Sequence, residues 1–344
     1  MDLPFTTLDV FTTKQLEGNP LAIVGVPPSL RDRLTQSMKQ KIAQEFNLSE
    51  TVFFHDDTSK SGSEAREVDI FTIERELPFA GHPTIGTAVF VRHHLGGAGK
   101  EVRTLITKAG PIGIEEVPAS SGSSSGSSPT AAGAAAAAGV RAEIPHNVHL
   151  HAKTLRDVLP ATAADDAAAA AGLHPNAAIR AAELDAPLFS IVRGMTFALV
   201  PLPSLELLAE VRVLRLDFEG LAAELLDDGW REGLAARYYY VDVAAAGGQE
   251  AEEGARSLRT RMVELGFEDP ATGSAATALA SYLTLTQERR DTKFRVTQGV
   301  EMGRKSDISV ETTVKGGEGD VALDKVYLGG TAVVVMQGTL RVGY

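Results

Sequence analysis

Glu50, His82, Asp269 and Ser274 are the side chains of this sequence that stand where apolar segments begin and that could move a proton or hold an anion. Glu50 lies in Asn47-Leu48-Ser49-Glu50-Thr51-Val52-Phe53-Phe54. Apolar neighbours desolvate a carboxyl, and desolvation tunes it toward neutral pH, where it can both take and give a proton. Taken alone, the same glutamate reads more simply as a strand-start acid or a capping-box acid. His82 follows Gly81 at the mouth of an apolar run and could donate to or accept from a bound group. Asp269 and Ser274 flank the start of a second such run, where their ordinary roles are helix capping and dipole complementation.

Backbone chemistry accompanies these side chains. If Gly81 and Gly273 open two buried helices, unpaired N–H groups and two positive dipole ends are available to an anion. Glycine leaves the amides approachable, although two ordinary glycine turns would look the same in sequence.

Other chemistries find little support. The chain has no cysteine, which excludes disulfides, zinc-thiolate sites, iron-sulfur clusters and thiol nucleophiles. His146, His149 and His151 follow no helical ligand spacing and have no acidic cluster beside them, so no metal is expected. Neither a phosphate-binding loop nor a dinucleotide fingerprint is present, so no nucleotide cofactor is expected.

The elements that must position these residues follow from periodicity. Leu8, Val10 and Phe11 read as strand, Gly18-Asn19-Pro20 as a turn, and Leu21 to Val24 as a returning strand. Leu34, Met38, Ile42 and Phe46 recur every four residues over 30–46, which predicts an amphipathic helix. Thr84 to Val91 and Ala275 to Leu283 are small or apolar on every side, so each predicts a buried helix. Strand-like runs, Val68 to Ile73 and Leu258 to Met262, precede both, and the chain reads as internally duplicated.

A Ser/Gly/Ala tract at 119–139 reads as a disordered insertion, and a Gly- and Glu-rich stretch at 247–254 as a lengthened surface loop. The expected division is an N-terminal lobe of 1–118 plus 329–344, a C-terminal lobe of 140–328, and the insertion at 119–139. At 344 residues, 44% hydrophobic and 23% charged, the chain suits two globular cores. A net charge of −12 argues against nucleic acid as a partner. No stretch is apolar enough to span a bilayer, and the opening MDLPFTTLDVFTTK lacks the features of a secretory signal, so a cytoplasmic location is expected.

Four ordered segments together resemble the phenazine-biosynthesis PhzF family: Leu8-Asp9-Val10-Phe11-Thr12 with Gly18-Asn19-Pro20, Asn47-Leu48-Ser49-Glu50-Thr51, Pro78-Phe79-Ala80-Gly81-His82-Pro83-Thr84, and Glu268-Asp269-Pro270-Ala271-Thr272-Gly273-Ser274-Ala275. The likeness runs end to end outside the two interruptions and includes Gln298-Gly299. It implies an α+β, diaminopimelate epimerase-like fold: two pseudo-symmetric lobes, each a β-barrel-like sheet around a central helix, with the site in the cleft between. It further implies Glu50 as the acid/base, His82, Asp269 and Ser274 as pocket residues, and Gly81 and Gly273 as carboxylate-binding backbone. Related epimerases carry one cysteine per lobe, at positions that are Ala80 and Thr272 here, so a two-thiol mechanism cannot operate.

What the resemblance leaves is a cofactor-independent isomerase in which Glu50 takes a proton from one position of a small, cyclic, amino-acid-like carboxylate and returns it at another. The family's prototype isomerises dihydro-3-hydroxyanthranilate, and its members are expected to form homodimers. Two other readings stay open: a member that binds a small carboxylate without turning it over, and a dimeric scaffold whose cleft is filled by side chains.

Overall fold

The computed structural model describes residues 1–56, 64–96, 101–117, 139–159, 171–247, 254–264, 266–317 and 321–343. Almost all of the tract expected to be an insertion, and the centre of the 247–254 loop, lie outside the described residues. The chain forms two compact units, Met1–Ile144 with Leu328–Tyr344, and Pro145–Tyr327.

In the first unit, β1 (Asp2–Val10) lies antiparallel to both β2 (Asn19–Val26) and the last strand, β18 (Ala332–Arg341). The segment read as a Gly-Asn-Pro turn is instead the entry to β2. Asn19 already pairs with Val10, and the reversal is made by residues 11–18, with Phe11, Leu16 and Gly18 all at positive φ, Gly18 at +69. A Cβ at Gly18 would come 2.3 Å from the Val10 carbonyl oxygen, so the turn needs glycine.

Helix α1 (Gln36–Phe46) carries the chain to β3 (Thr51–His55), parallel to β2. It begins later than the periodicity suggests because the Thr35 hydroxyl caps Met38 N–H, leaving Leu34 outside. Ile42 and Ala43 pack with Leu34, Leu3, Val24, Phe53 and Phe71. β3 continues antiparallel into β4 (Ala65–Phe71), which pairs with β5 (Glu76–Leu77) and, in parallel, with β6 (Thr104–Thr107). β7 (Gly110–Val117) and β8 (Gly139–Glu143) complete this unit as antiparallel neighbours. The sequence division assigned residues 140–143 to the second lobe; pairing with β7 keeps them in the first.

Helix α2 (Gly81–Val89) is buried at every residue and touches β1, β2, β3, β8 and β18. Its small side chains make this possible. A Cβ on Gly86 would stand 2.5 Å from Leu21 Cδ2 and 2.7 Å from Val10 Cγ2, so any larger residue would push the helix off the sheet. The helix takes in Gly81, His82 and Pro83 as its first turn, where proline is tolerated because its missing N–H has no intrahelical acceptor.

The second unit repeats this plan. β9 (His149–Leu150) pairs with β10 (Leu188–Val192), β10 with β11 (Met195–Pro201), and β11 in parallel with β12 (Leu234–Asp242). β13 (Ala255–Glu264) then pairs with β12, with β14 (Phe267–Asp269), and in parallel with β15 (Thr292–Gln298), which is antiparallel to β16 (Ser306–Lys315). β17 (Ala322–Gly330) leads back toward the first unit. Helices α3 (Leu155–Val158), α4 (Ala177–Asp185), α5 (Leu205–Glu210) and α6 (Phe218–Leu225) supply a core with β11 and β12 built on Leu155, Ile179, Leu208, Phe218 and Val241. Helix α7 (Gly273–Leu283) is the counterpart of α2, buried at every residue but Tyr282. Both central helices run on into single π turns, Phe90–His94 and Thr284–Glu288. No helix among the described residues is long and apolar enough to cross a membrane.

Two buried charge networks brace these units. In the second, Glu183 of α4 accepts from Arg237 at 3.0 Å, from the Tyr239 hydroxyl at 2.5 Å and from His174 N–H at 2.7 Å, tying α4 to β12. In the first, Asp69 of β4 accepts from Lys39 Nζ at 2.5 Å and His55 Nε2 at 2.7 Å. Burial works against the Asp69 charge, but the hydrogen bonds and charges of His55 and Lys39 outweigh it and hold the carboxyl at about 2. Because that value is depressed, the stabilisation is full above the ordinary carboxylate range and is lost as pH falls through about 2. Asp69→Asn is expected to lower stability by at least about 2 kcal/mol at neutral pH, the gap shrinking below pH 4, as read by urea unfolding.

Candidate active site

Glu50 occupies the short link between α1 and β3. The helix ends at Asn47 in the left-handed conformation, φ 51, and four residues later β3 is locked in register with β2, so the Glu50 side chain has little choice of direction. Its side chain is 17% exposed. Oε2 is buried and accepts no hydrogen bond from the described residues. Burial pushes the carboxyl up to about 7, with a hydrogen bond from the Ser49 side chain partly offsetting the rise. A carboxyl half ionised near pH 7 is suited to take a proton and give it back.

His82 lies in the first turn of α2 and is 5% exposed. Its Nε2 is 3.6 Å from Glu50 Oε2, beyond hydrogen-bond length but in direct electrostatic reach, and its Nδ1 is 3.4 Å from Asn19 Nδ2. The residue before Gly81, Ala80, is the helix N-cap and has no side chain to cap with, while Thr84 N–H and its hydroxyl both bond the Ala80 carbonyl. The amides that precede Thr84 have no acceptor within the helix. Glu50, His82 and the Gly81 backbone thus converge within the first unit.

In the second unit, Asp269 ends β14 and its Oδ2 accepts from the Thr272 hydroxyl at 2.5 Å. Thr272 is the N-cap residue of α7, yet its side chain caps no amide of the helix. Gly273 and Ser274 follow as the buried first turn. A residue that the sequence reading did not single out for a role, Gln298, organises this turn. It is fully buried, its Nε2 donates to the Asp269 carbonyl at 2.8 Å and to the Thr272 hydroxyl at 3.0 Å, and its Oε1 accepts from Thr272 N–H at 3.2 Å and the Tyr238 hydroxyl at 3.0 Å. Only the ladder of β13 and β15 brings position 298 beside position 272, so no local pattern could reveal it.

Strand register makes the duplication exact enough to compare residues. Phe71 faces Thr51 across one ladder and Glu76 across the next; Val263 faces Arg237 and Glu268 in the same way. Glu76-Leu77-Pro78-Phe79-Ala80-Gly81-His82 therefore corresponds to Glu268-Asp269-Pro270-Ala271-Thr272-Gly273-Ser274. In this correspondence Glu50 falls on Ala236, which is buried and has no acid.

The sequence matches the PhzC-PhzF family, phenazine biosynthesis-like protein, over residues 8–338. The chain belongs to that family. It is 32% identical to an uncharacterised isomerase of Mesorhizobium japonicum over 96% of both chains. With the trans-2,3-dihydro-3-hydroxyanthranilate isomerase of Pseudomonas fluorescens it shares 40% identity over 26% of this chain and 30% of that one. A PhzF-family crystal structure from Bacillus anthracis superposes with a TM-score of 0.68, covering 99% of this chain and 100% of that one at 19% identity, which shows the shared α+β fold. This PhzC-PhzF protein is accordingly an isomerase.

The histidines away from this site have another use. His149, on β9, bonds Asp227 at 2.7 Å and stacks on Trp230 at 4.7 Å between ring centres. His151 engages both ring nitrogens, Nε2 with the Ser190 hydroxyl at 3.0 Å and Nδ1 with Asp227 N–H at 3.2 Å. An acid does join the pair, but from 76 residues along the chain, and His151 has no free lone pair to offer a metal. The cluster braces the α6–β12 connection of the PhzC-PhzF protein to β9.

Two consequences can be measured. Because the Glu50 carboxyl is raised from 4.5 to about 7, the folded state holds its proton where the unfolded chain releases it, so this residue costs stability increasingly as pH rises through that window. Glu50→Gln is expected to be more stable than the parent by about 3 kcal/mol at pH 8, with the difference vanishing near pH 4, in paired urea titrations. Gln298→Leu is expected to lose about 1–3 kcal/mol by orphaning Thr272 N–H and leaving the Tyr238 hydroxyl with Thr260 as its partner, read as a lower melting temperature.

Proposed function

We propose that Glu50 is the acid/base of a proton-transfer isomerisation on a small, cyclic, amino-acid-like carboxylate bound at the start of α2. Glu50 takes a proton from an activated carbon and returns it at another position of the same molecule, so atoms and charge balance without a co-reactant. His82 faces Glu50 and binds a polar group of the substrate. The amides at Gly81 offer donors to a carboxylate; the start of α7 offers the same kind of donors at Gly273 and a hydroxyl at Ser274, with Asp269 positioning Thr272.

The observation that carries this reading is the Glu50 carboxyl itself, raised to about 7 by burial, 3.6 Å from His82, with alanine at the corresponding position of the second unit. A single acid that must both remove and restore the proton fits a shift of hydrogen within one molecule. The absence of cysteine from the chain, with Ala80 and Thr272 at the two helix N-caps, leaves no thiol pair to act from opposite faces. Membership of the PhzC-PhzF family and the named activity of the Pseudomonas fluorescens relative support the substrate class.

The test uses trans-2,3-dihydro-3-hydroxyanthranilate, and a panel of cyclic amino acids, in deuterated water. The parent protein is expected to incorporate solvent deuterium, and Glu50→Gln to slow incorporation by about 100-fold or more with its circular dichroism unchanged. Normal incorporation by the variant would remove Glu50 from the role; binding without exchange by the parent across the panel would favour a carboxylate-binding protein.

A further inference from the structure

Asn19 has no part in the chemistry so far, yet it is 1% exposed and reaches His82 from the first position of β2. Its place is fixed from two sides, by pairing with Val10 and by the glycine reversal immediately before it. Its amide nitrogen, Nδ2, lies 3.4 Å from His82 Nδ1. An amide NH2 can only donate, so Nδ1 accepts, and a neutral imidazole that accepts at Nδ1 carries its proton on Nε2. Nε2 is the nitrogen that stands 3.6 Å from Glu50 Oε2.

We propose that Asn19 is a positioning residue that holds His82 as the Nε2–H tautomer, so that one imidazole N–H is aimed at the Glu50 carboxyl. The inference rests on the reading of Glu50 as acid/base, and adds to it how the neighbouring ring is set. In the other tautomer a bare nitrogen lone pair would face the carboxylate oxygen, which disfavours the ionised acid at the moment it must act as a base. With the proton on Nε2, a small closing movement, or a substrate oxygen placed between, completes a donor-to-acceptor line.

The duplication bears on this independently. Ala22 pairs with Thr51 and Ala198 pairs with Arg237, so Asn19 corresponds to Met195, just as His82 corresponds to Ser274 and Glu50 to Ala236. The second unit therefore lacks all three members of the Asn–His–Glu line. Where the ring and the acid are missing, the amide is missing too, as expected if its purpose is the ring.

The test is nitrogen-15 NMR of the full-length protein labelled at histidine, with the His82 ring signals assigned by their loss in His82→Gln. With the ring neutral, His82 is expected to carry its proton on Nε2. Asn19→Asp, which replaces the donor by an acceptor of the same shape, is expected to move the proton to Nδ1, and Asn19→Leu to abolish the preference. Each is expected to slow deuterium incorporation into trans-2,3-dihydro-3-hydroxyanthranilate by about tenfold or more. An Nδ1–H ring in the parent protein, or a tautomer unchanged in both variants, would overturn the proposal. Failure of the Glu50 reading has a different signature, normal exchange in Glu50→Gln, and leaves the tautomer measurement intact.

Discussion

A helix that is buried on all sides must be built from small residues, and its ends must find polar partners that do not come from its own turns. Both central helices of this protein live under that constraint. Gly86 lets Val10 and Leu21 approach the axis of α2, and the alanine-rich face of α7 does the same in the second unit. Neither helix is capped by its own N-cap side chain, so the first-turn amides are left to groups from outside the helix. The site grows from this condition.

The two units answer it differently. Around α7 the polar demand is met by Gln298, Thr272 and Asp269, a closed hydrogen-bonded set with Tyr238 behind it. Around α2 the corresponding N-cap is alanine, and the polar groups nearby are His82, Asn19 and Glu50, held by longer contacts of 3.4 and 3.6 Å. A carboxyl oxygen that is buried without a hydrogen bond among the described residues, as Glu50 Oε2 is, makes the acid costly to ionise. The duplicated plan thus carries a glutamate before β3 in the first unit and a buried alanine at the corresponding position of the second. The same Glu50 burial that tunes its proton affinity also lowers the stability of the fold, as is common where a functional group is held in an environment that disfavours its charge.

Much of the architecture was legible from residue types. Small or apolar runs at Thr84–Val91 and Ala275–Leu283 announced buried helices, because no other environment tolerates a helix without a polar face. Boundaries were less legible. Thr35 capping starts α1 after Leu34, Gly81–Pro83 join the helix rather than precede it, and Asn19-Pro20 belong to β2 instead of a turn, since ladder pairing overrides the local turn preference of asparagine and proline.

By itself the sequence determined the chemical inventory and its order: no thiol, a glutamate at the edge of an apolar strand, a histidine and a serine after paired glycines, and two helices fit only for burial. Those properties depend on residue identity and short-range periodicity, which a linear chain carries in full. Tertiary structure alone decided that Glu50 meets His82, that Asn19 reaches the far side of the same ring, that Gln298 clamps Thr272, and that Asp227 joins His149 and His151. These pairs are joined by strand ladders and helix packing across long stretches of chain, and both the proton affinity of a carboxyl and the tautomer of an imidazole are set by such non-local neighbours.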